Sequence, residues 1–205
     1  MTDTPVDSRP YHHGDLRRAL VEAAERLLYR EGASALSLRA VAREAGVSAA
    51  APYHHFKDKN ELLSAVARQG FENLAEAMRQ AIAGVERPID RLNQVGVTYV
   101  CFARENMALY HLMFDPARNR DFKADVPSNT GPKAIVMQAI RDCLPPDTPE
   151  IDIQLAQIAG WCAAHGLAEM AGNKDFDGLK AELGGEKAFF SQVLSHMDMD
   201  RSLHK

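Results

Sequence analysis

Residues 38–48 read Leu38-Arg39-Ala40-Val41-Ala42-Arg43-Glu44-Ala45-Gly46-Val47-Ser48, and this run decides the fold. Leu38, Val41, Ala42 and Ala45 recur at the spacing of one helical face. Ser37 precedes them as an N-cap, because its hydroxyl can accept from an amide that the first turn leaves unpaired. Gly46 supplies the positive φ that a tight turn needs. Ser48 then caps a third short helix running to about His55. Pro52 falls at its fourth position, where the proline ring faces a carbonyl that is not yet helical. Two short helices joined by a three-residue turn, with the small Ala42 where they touch, make a helix-turn-helix. Its second helix has the shape to lie in the major groove of DNA. An ordinary helical hairpin shares the spacing and is the competing reading.

Working outward, nearly every segment repeats with a 3.6-residue period and no stretch reads as a strand. The first helix is expected over 15–29, capped by Asp15 and stopped by Gly32, with Leu16, Leu20, Ala24, Leu27 and Leu28 inward. Asp58-Lys59-Asn60-Glu61 is an Asp-led capping box that starts a long fourth helix ending near Gly84. A fifth helix follows from Pro88 to about Asn106, and a short sixth from Met107 to Phe114. Residues 115–131 read as a mobile connection. A seventh helix covers 132–143, an eighth 150–171, and a ninth 186–197, with 172–185 as a glycine-rich loop. The expected fold is all-α, with about nine helices: a three-helix front, then a larger helical body, with the fourth helix at the boundary.

The chain has 205 residues, 46% hydrophobic and 25% charged, enough for a sizeable core. Its net charge is −4, but residues 9–60 hold nine Lys/Arg against six Asp/Glu, and residues 61–205 hold fifteen against twenty. The basic front hints at a polyanionic partner. No apolar run is long enough for a transmembrane helix, and residues 1–15 lack the apolar stretch of a secretory signal, so the cytoplasm is the expected location. Cys101, Cys143 and Cys162 are widely spaced and form neither a disulfide framework nor a metal pair. The histidine pairs His12-His13 and His54-His55 point in different directions on a helix and lack a thiolate or an i, i+4 partner. No metal and no cofactor is expected. Nor is there a nucleophile elbow, a phosphate loop or a facing pair of carboxylates, so no enzyme activity is expected.

The run from Leu38 to Ser48, followed by Tyr53-His54-His55-Phe56-Lys57-Asp58-Lys59-Asn60-Glu61-Leu62-Leu63, resembles the N-terminal domain of tetracycline-repressor-type (TetR) transcriptional regulators. Trp161-x-x-x-His165-Gly166 and Tyr11-His12-His13-Gly14-Asp15-Leu16-Arg17 are similar to a "WHG" subgroup of that family. The resemblance implies a helix-turn-helix DNA-binding domain over 10–58 and a ligand-binding and dimerisation domain over 59–205. It places Arg39, Ser48, Ala49, Ala50, Tyr53, His54, Lys57 and Lys59 at the DNA, with Tyr53 on a phosphate and Phe56 in the core. Ala51 and Pro52 stand where the family often has threonine and leucine. Base reading then falls to methyl groups and His54, with DNA shape and Arg9 in the minor groove as further contributions.

The same resemblance implies an effector cavity in the body, with Phe71, Met78, Tyr99, Phe102, Tyr110, Met113, Phe114, Trp161 and His165 as candidate lining. Tyr99, Tyr110 and His165 would be its polar anchors for an apolar or aromatic ligand. Methionines and rings at helical spacing also fit an ordinary core. The eighth and ninth helices are expected to form a four-helix dimer interface through Leu155, Ile158, Cys162, Gly166, Phe190, Val193 and Leu194. The implied function is a homodimeric repressor released from a palindromic operator by a small molecule. A helical carrier or an enzyme with a coincidental hairpin is the rival.

Overall fold

The computed structural model describes residues 13–115 and 130–196, with side chains from residue 16 onward. Among them are nine α-helices and two 3-10 turns, and no strand. They are α1 (His13–Glu31), α2 (Leu38–Glu44), a 3-10 turn (Ala51–His54), α3 (Lys59–Ile82), α4 (Pro88–Glu105), α5 (Met107–Met113), α6 (Pro132–Cys143) and α7 (Glu150–Met170). A second 3-10 turn (Lys174–Phe176), α8 (Asp177–Glu182) and α9 (Glu186–Ser195) complete the chain. The all-α expectation holds. The Arg9 arm, His12 and the connection at 116–129 lie outside the described residues.

The chain divides into two compact units, residues 1–67 and 68–205, so the division falls within α3. In the first unit α1 buries Leu20, Ala24, Leu27 and Leu28 of its predicted stripe, while Leu16 is half-buried. The helix begins at His13, which puts Asp15 inside the first turn and not at the cap. It ends at Gly32, with φ +80°. Ser37 Oγ accepts from Ala40 N at 3.1 Å and starts α2. The turn after α2 closes with two backbone bonds: Val47 N donates to Ala42 O at 2.9 Å and Gly46 N to Arg43 O at 3.2 Å. This pairing requires a left-handed residue just past the helix, and Gly46 has φ +70°.

The third element departs from the expectation. It is a 3-10 turn, not an α-helix, and Ser48 does not cap it with its side chain. Pro52 has no N–H to donate to Ser48 O, which accepts instead from Ala51 N at 3.0 Å. Tyr53 N likewise bonds Ala50 O at 3.1 Å, and the i→i+3 pattern sets in.

In the second unit α4 is central and packs on α6, α7 and α9. It buries Val95, Val97, Tyr99, Val100 and Ala103. A Cβ at Gly96 would stand 2.9 Å from Leu194 Cδ1, so the glycine lets α9 lie close on α4. Asn93 Nδ2 donates to Ser191 O at 3.0 Å and reinforces that packing. The expected loop over 172–185 contains α8. Gly178 and the flanking Gly172, Gly184 and Gly185 hide it in the sequence, while Lys180 anchors it from inside. Only 9% exposed, Lys180 donates from Nζ to Ala171 O at 2.7 Å, at the end of α7. It also pairs with Asp177 at 3.4 Å and Glu186 at 3.3 Å.

Candidate nucleic-acid interface and effector site

On the first unit, Ser48, Ala49, Ala50, Tyr53 and His54 are exposed, with Tyr53 at 54%. Exposed Arg39 on α2 and exposed Lys57 flank the turn in sequence. Pro52 and Phe56 are buried and fix it from behind. The Arg17 guanidinium lies 5.1 Å from the Phe56 ring centroid, a cation–π contact that the sequence reading missed. Its signal is present, since Arg17 closes the Tyr11–Arg17 motif, whose last residues form the first turns of α1. Glu44 joins α2 to α1 by accepting from Arg30 at 2.9 Å and Arg26 at 3.3 Å. The hydrogen bond from Arg30, then that from Arg26, holds its carboxyl below the usual range.

At the start of α3, two carboxylates take up backbone amides. Asp58 Oδ1 accepts from Glu61 N at 2.9 Å, and Glu61 Oε2 accepts from Lys57 N at 2.7 Å. The capping box therefore forms, with the glutamate reaching one residue further back than the box pattern. Lys59 Nζ donates to Ala33 O at 3.1 Å. Of the two lysines, Lys57 keeps the freer ammonium.

In the second unit, Phe71, Tyr99, Tyr110, Phe114, Trp161 and His165 form one connected cluster. Phe114 is its hub, with ring centroids 5.4 Å from Phe71, 5.1 Å from Tyr110, 6.3 Å from Trp161 and 5.3 Å from His165. These separations are those of direct ring packing. The polar atoms converge too. Tyr99 Oη is 2.9 Å and Tyr110 Oη 2.7 Å from the same atom, His165 Nδ1. Burial pushes both phenols up, so both hydroxyls keep their protons.

Three further residues were expected in the lining. Met78 and Met113 are buried. Phe102 lines a separate cleft of about 540 Å³ with Gln94, Thr98, Cys101, Glu105 and Lys187. Burial pushes the Cys101 thiol up. These residues were missed because a cleft between α3, α4 and α9 leaves no periodic mark on any one of them. Among the described residues no three His, Cys, Asp or Glu side chains gather as a metal site.

The expected interface residues also separate. Leu155 is 56% and Ile158 50% exposed, and Cys162 is exposed with them on α7. Gly166 is half-buried, and a Cβ there would meet nothing within 4 Å. Phe190 corrects the reading: it is buried within its own chain. Leu194 packs by Gly96 and with Val193 is half-buried. The second apolar face of α9 is thus spent largely on α4, which periodicity alone cannot distinguish from a face kept for a partner.

The class the chain presents is an all-α protein with a helix-turn-helix and exposed turn, followed by a helical body built around one central helix. Comparison with known proteins agrees. Residues 20–66 match the family of bacterial regulatory proteins of the tetR type, and residues 92–197 match the tetracyclin repressor-like C-terminal domain. The chain belongs to the TetR family. The WHG subgroup is not named by the C-terminal match. The HTH-type transcriptional regulator BetI of Brucella anthropi is 32% identical over 97 residues, 46% of this chain and 50% of that one. The chain spans about half the length of the curated relatives it matches. A solved structure of a protein of unknown function from Rhodococcus sp. RHA1 is similar over 93% of this chain and 95% of that one, with a TM-score of 0.70 and 29% identity. A TetR/AcrR-family regulator from Thermobifida fusca YX-ER1 shares the fold at a TM-score of 0.63 and 19% identity, over 88% of this chain and 95% of that one. No helix among the described residues is long and apolar enough to cross a membrane.

Proposed function

We propose that this chain is a cytoplasmic, homodimeric DNA-binding regulator and not an enzyme. It is a repressor that leaves a palindromic operator when a small apolar or aromatic effector occupies its body. The observation that carries the reading is the exposed edge of Ser48, Ala49, Ala50, Tyr53 and His54 on a unit locked by its own caps. Tyr53, Arg39 and Lys57 hold phosphates and carry no sequence information. Ala49 and Ala50 offer methyls to thymine, and His54 offers a base-edge hydrogen bond. Lys59 adds what its tether to Ala33 leaves free.

The dimer reading rests on α7. Ile151, Leu155, Ile158 and Cys162 fall at one helical face, and all are exposed in the single chain. An apolar stripe of this kind is buried when a second copy supplies the same stripe. The effector acts by population shift, favouring a body conformation that binds the operator poorly.

Gel shift on the DNA upstream of the chain's own gene, against scrambled DNA at several salt concentrations, tests this. Sequence-dependent binding is expected. Lys57→Ala should weaken both DNAs by similar factors and lower the log–log salt slope by ~1 for each phosphate left unneutralised, so ~2 for a dimer. His54→Ala should instead change the preferred base pairs. Binding without sequence preference would favour the carrier reading.

A further inference from the structure

α4 and α9 each carry a basic and an acidic residue side by side, Arg104-Glu105 on α4 and Glu186-Lys187 on α9. Of the two cross pairs these allow, one closes. Arg104 reaches Glu186 at 3.5 Å, and Lys180 shares that carboxylate at 3.3 Å. Glu105 and Lys187 are left over. Both are exposed, and both line the cleft between α3, α4 and α9. Among the described residues neither makes a hydrogen bond or an ion pair, with the other or with any third group. Two opposite charges, one on each of two walls of the same cleft, are thus left without a protein partner.

The cleft holds about 540 Å³, within the range of small-molecule sites. Buried Val97 and half-buried Phe102 give it an apolar wall on α4. Ala81 on α3 and Ala188 on α9 line it with single methyls, which leaves room between the helices. Its α4 residues centre about 130° around that helix from Tyr99, so the cleft opens on a different side from the ring cluster. We infer that this cleft is a second binding site, which takes an α-amino acid with an apolar side chain. Lys187 pairs with the ligand carboxylate, Glu105 with its ammonium, and Val97 and Phe102 take the side chain. A zwitterion satisfies both charges at once. A simple anion would meet the like charge of Glu105, and a simple cation that of Lys187. The site stands apart from the regulator reading, which uses neither residue.

Calorimetry on the full-length chain tests this with phenylalanine, 3-phenylpropionate and phenethylamine, which share the ring and differ in charge. Phenylalanine should bind about tenfold more tightly than either analogue, because each analogue lacks one charge-assisted contact. Glu105→Gln should bring phenylalanine and 3-phenylpropionate to equal affinity. Lys187→Gln should do the same for phenylalanine and phenethylamine. Both side chains are exposed, so both variants should melt like the parent. Trp161 is the chain's only tryptophan and belongs to the ring cluster, so its fluorescence should not respond to phenylalanine. No binding of phenylalanine at millimolar concentration overturns the site. So do analogues that match phenylalanine in the unmodified chain, or affinities that ignore both variants. A Trp161 response that persists in both variants would move the ligand to the ring cluster and overturn the site equally. Loss of operator recognition would instead break the regulator reading and leave the calorimetric result standing.

Discussion

The two units reach order by different means. The first is fixed where its chain turns. Ser37 caps α2, Gly46 closes the turn after it, and Asp58 caps α3, each within four residues of the group it satisfies. The second is fixed by side chains far apart in sequence. Tyr99 and Tyr110 meet His165 across 66 and 55 residues, and Asn93 meets Ser191 across 98. A unit that presents a backbone edge to a partner gains from local locking, because its outer side chains are then free of structural duty. The second unit's order depends instead on contacts that close only when segments far apart in the chain have come together.

The largest effect should come from the face of α9 turned to α4. Phe190→Asp puts a charge where a phenyl ring is buried and should cost at least the ~3–5 kcal/mol of a Phe→Ala change. Thermal melting reads this, and a variant melting like the parent would return Phe190 to an outer surface. Leu155→Asp is its counterpart on α7. It should leave helix content and monomer folding intact, yet yield monomer by sedimentation and weaken operator binding. A Leu155→Asp chain that stays dimeric places the interface elsewhere.

Lys180→Met is next. It removes the ammonium bonded to Ala171 O and paired with Asp177 and Glu186, and should cost ~2 kcal/mol in denaturant unfolding of the body. No loss of stability would mean that α8 is held by apolar packing alone. In the first unit Gly46→Ala forces a side chain to φ +70° and should cost ~1–2 kcal/mol. Retained stability with altered DNA binding would show that the turn relaxes into another form.

The smallest effect concerns pH. Glu44 is held below its ordinary value of 4.5 by Arg30 and Arg26. Its stabilisation is therefore present above that ordinary value and fades as pH falls through the lower, folded-state value. Glu44→Gln should flatten the acid side of the first unit's stability curve, and identical curves for parent and variant would remove Glu44 from the account.

What the sequence discloses follows the same division. Ser37, Gly46 and Asp58 act on neighbours three or four positions away, so residue type and spacing are enough to read them. Pro52 is legible as a tolerated proline, but the consequence of its missing N–H for Ser48 O, and so for the whole turn, is not. Lys180 is illegible for a different reason. Lysines are seldom buried, and nothing local says that this one ends beside a helix carbonyl. For the ring cluster, residue type together with the family resemblance picks out Phe71, Tyr99, Tyr110, Phe114, Trp161 and His165. It picks out Phe102 with them, which belongs to another cleft, because type does not fix which way a helix turns.

The 3-10 turn at Ala51–His54 carries one further consequence. Four residues rising ~2.0 Å each span about 8 Å. Base pairs along DNA are spaced by ~3.4 Å, so such an element lies over little more than two steps. At ~1–3 kcal/mol for each discriminated pair, two pairs supply ~2–6 kcal/mol, so one copy reaches the ~4–10 kcal/mol usual for specific binding only at the upper end. The vocabulary of a single half-site would be a word of two or three letters, recurring throughout any genome. Addressing one promoter would then require reading the word twice, at a fixed distance, in opposite directions.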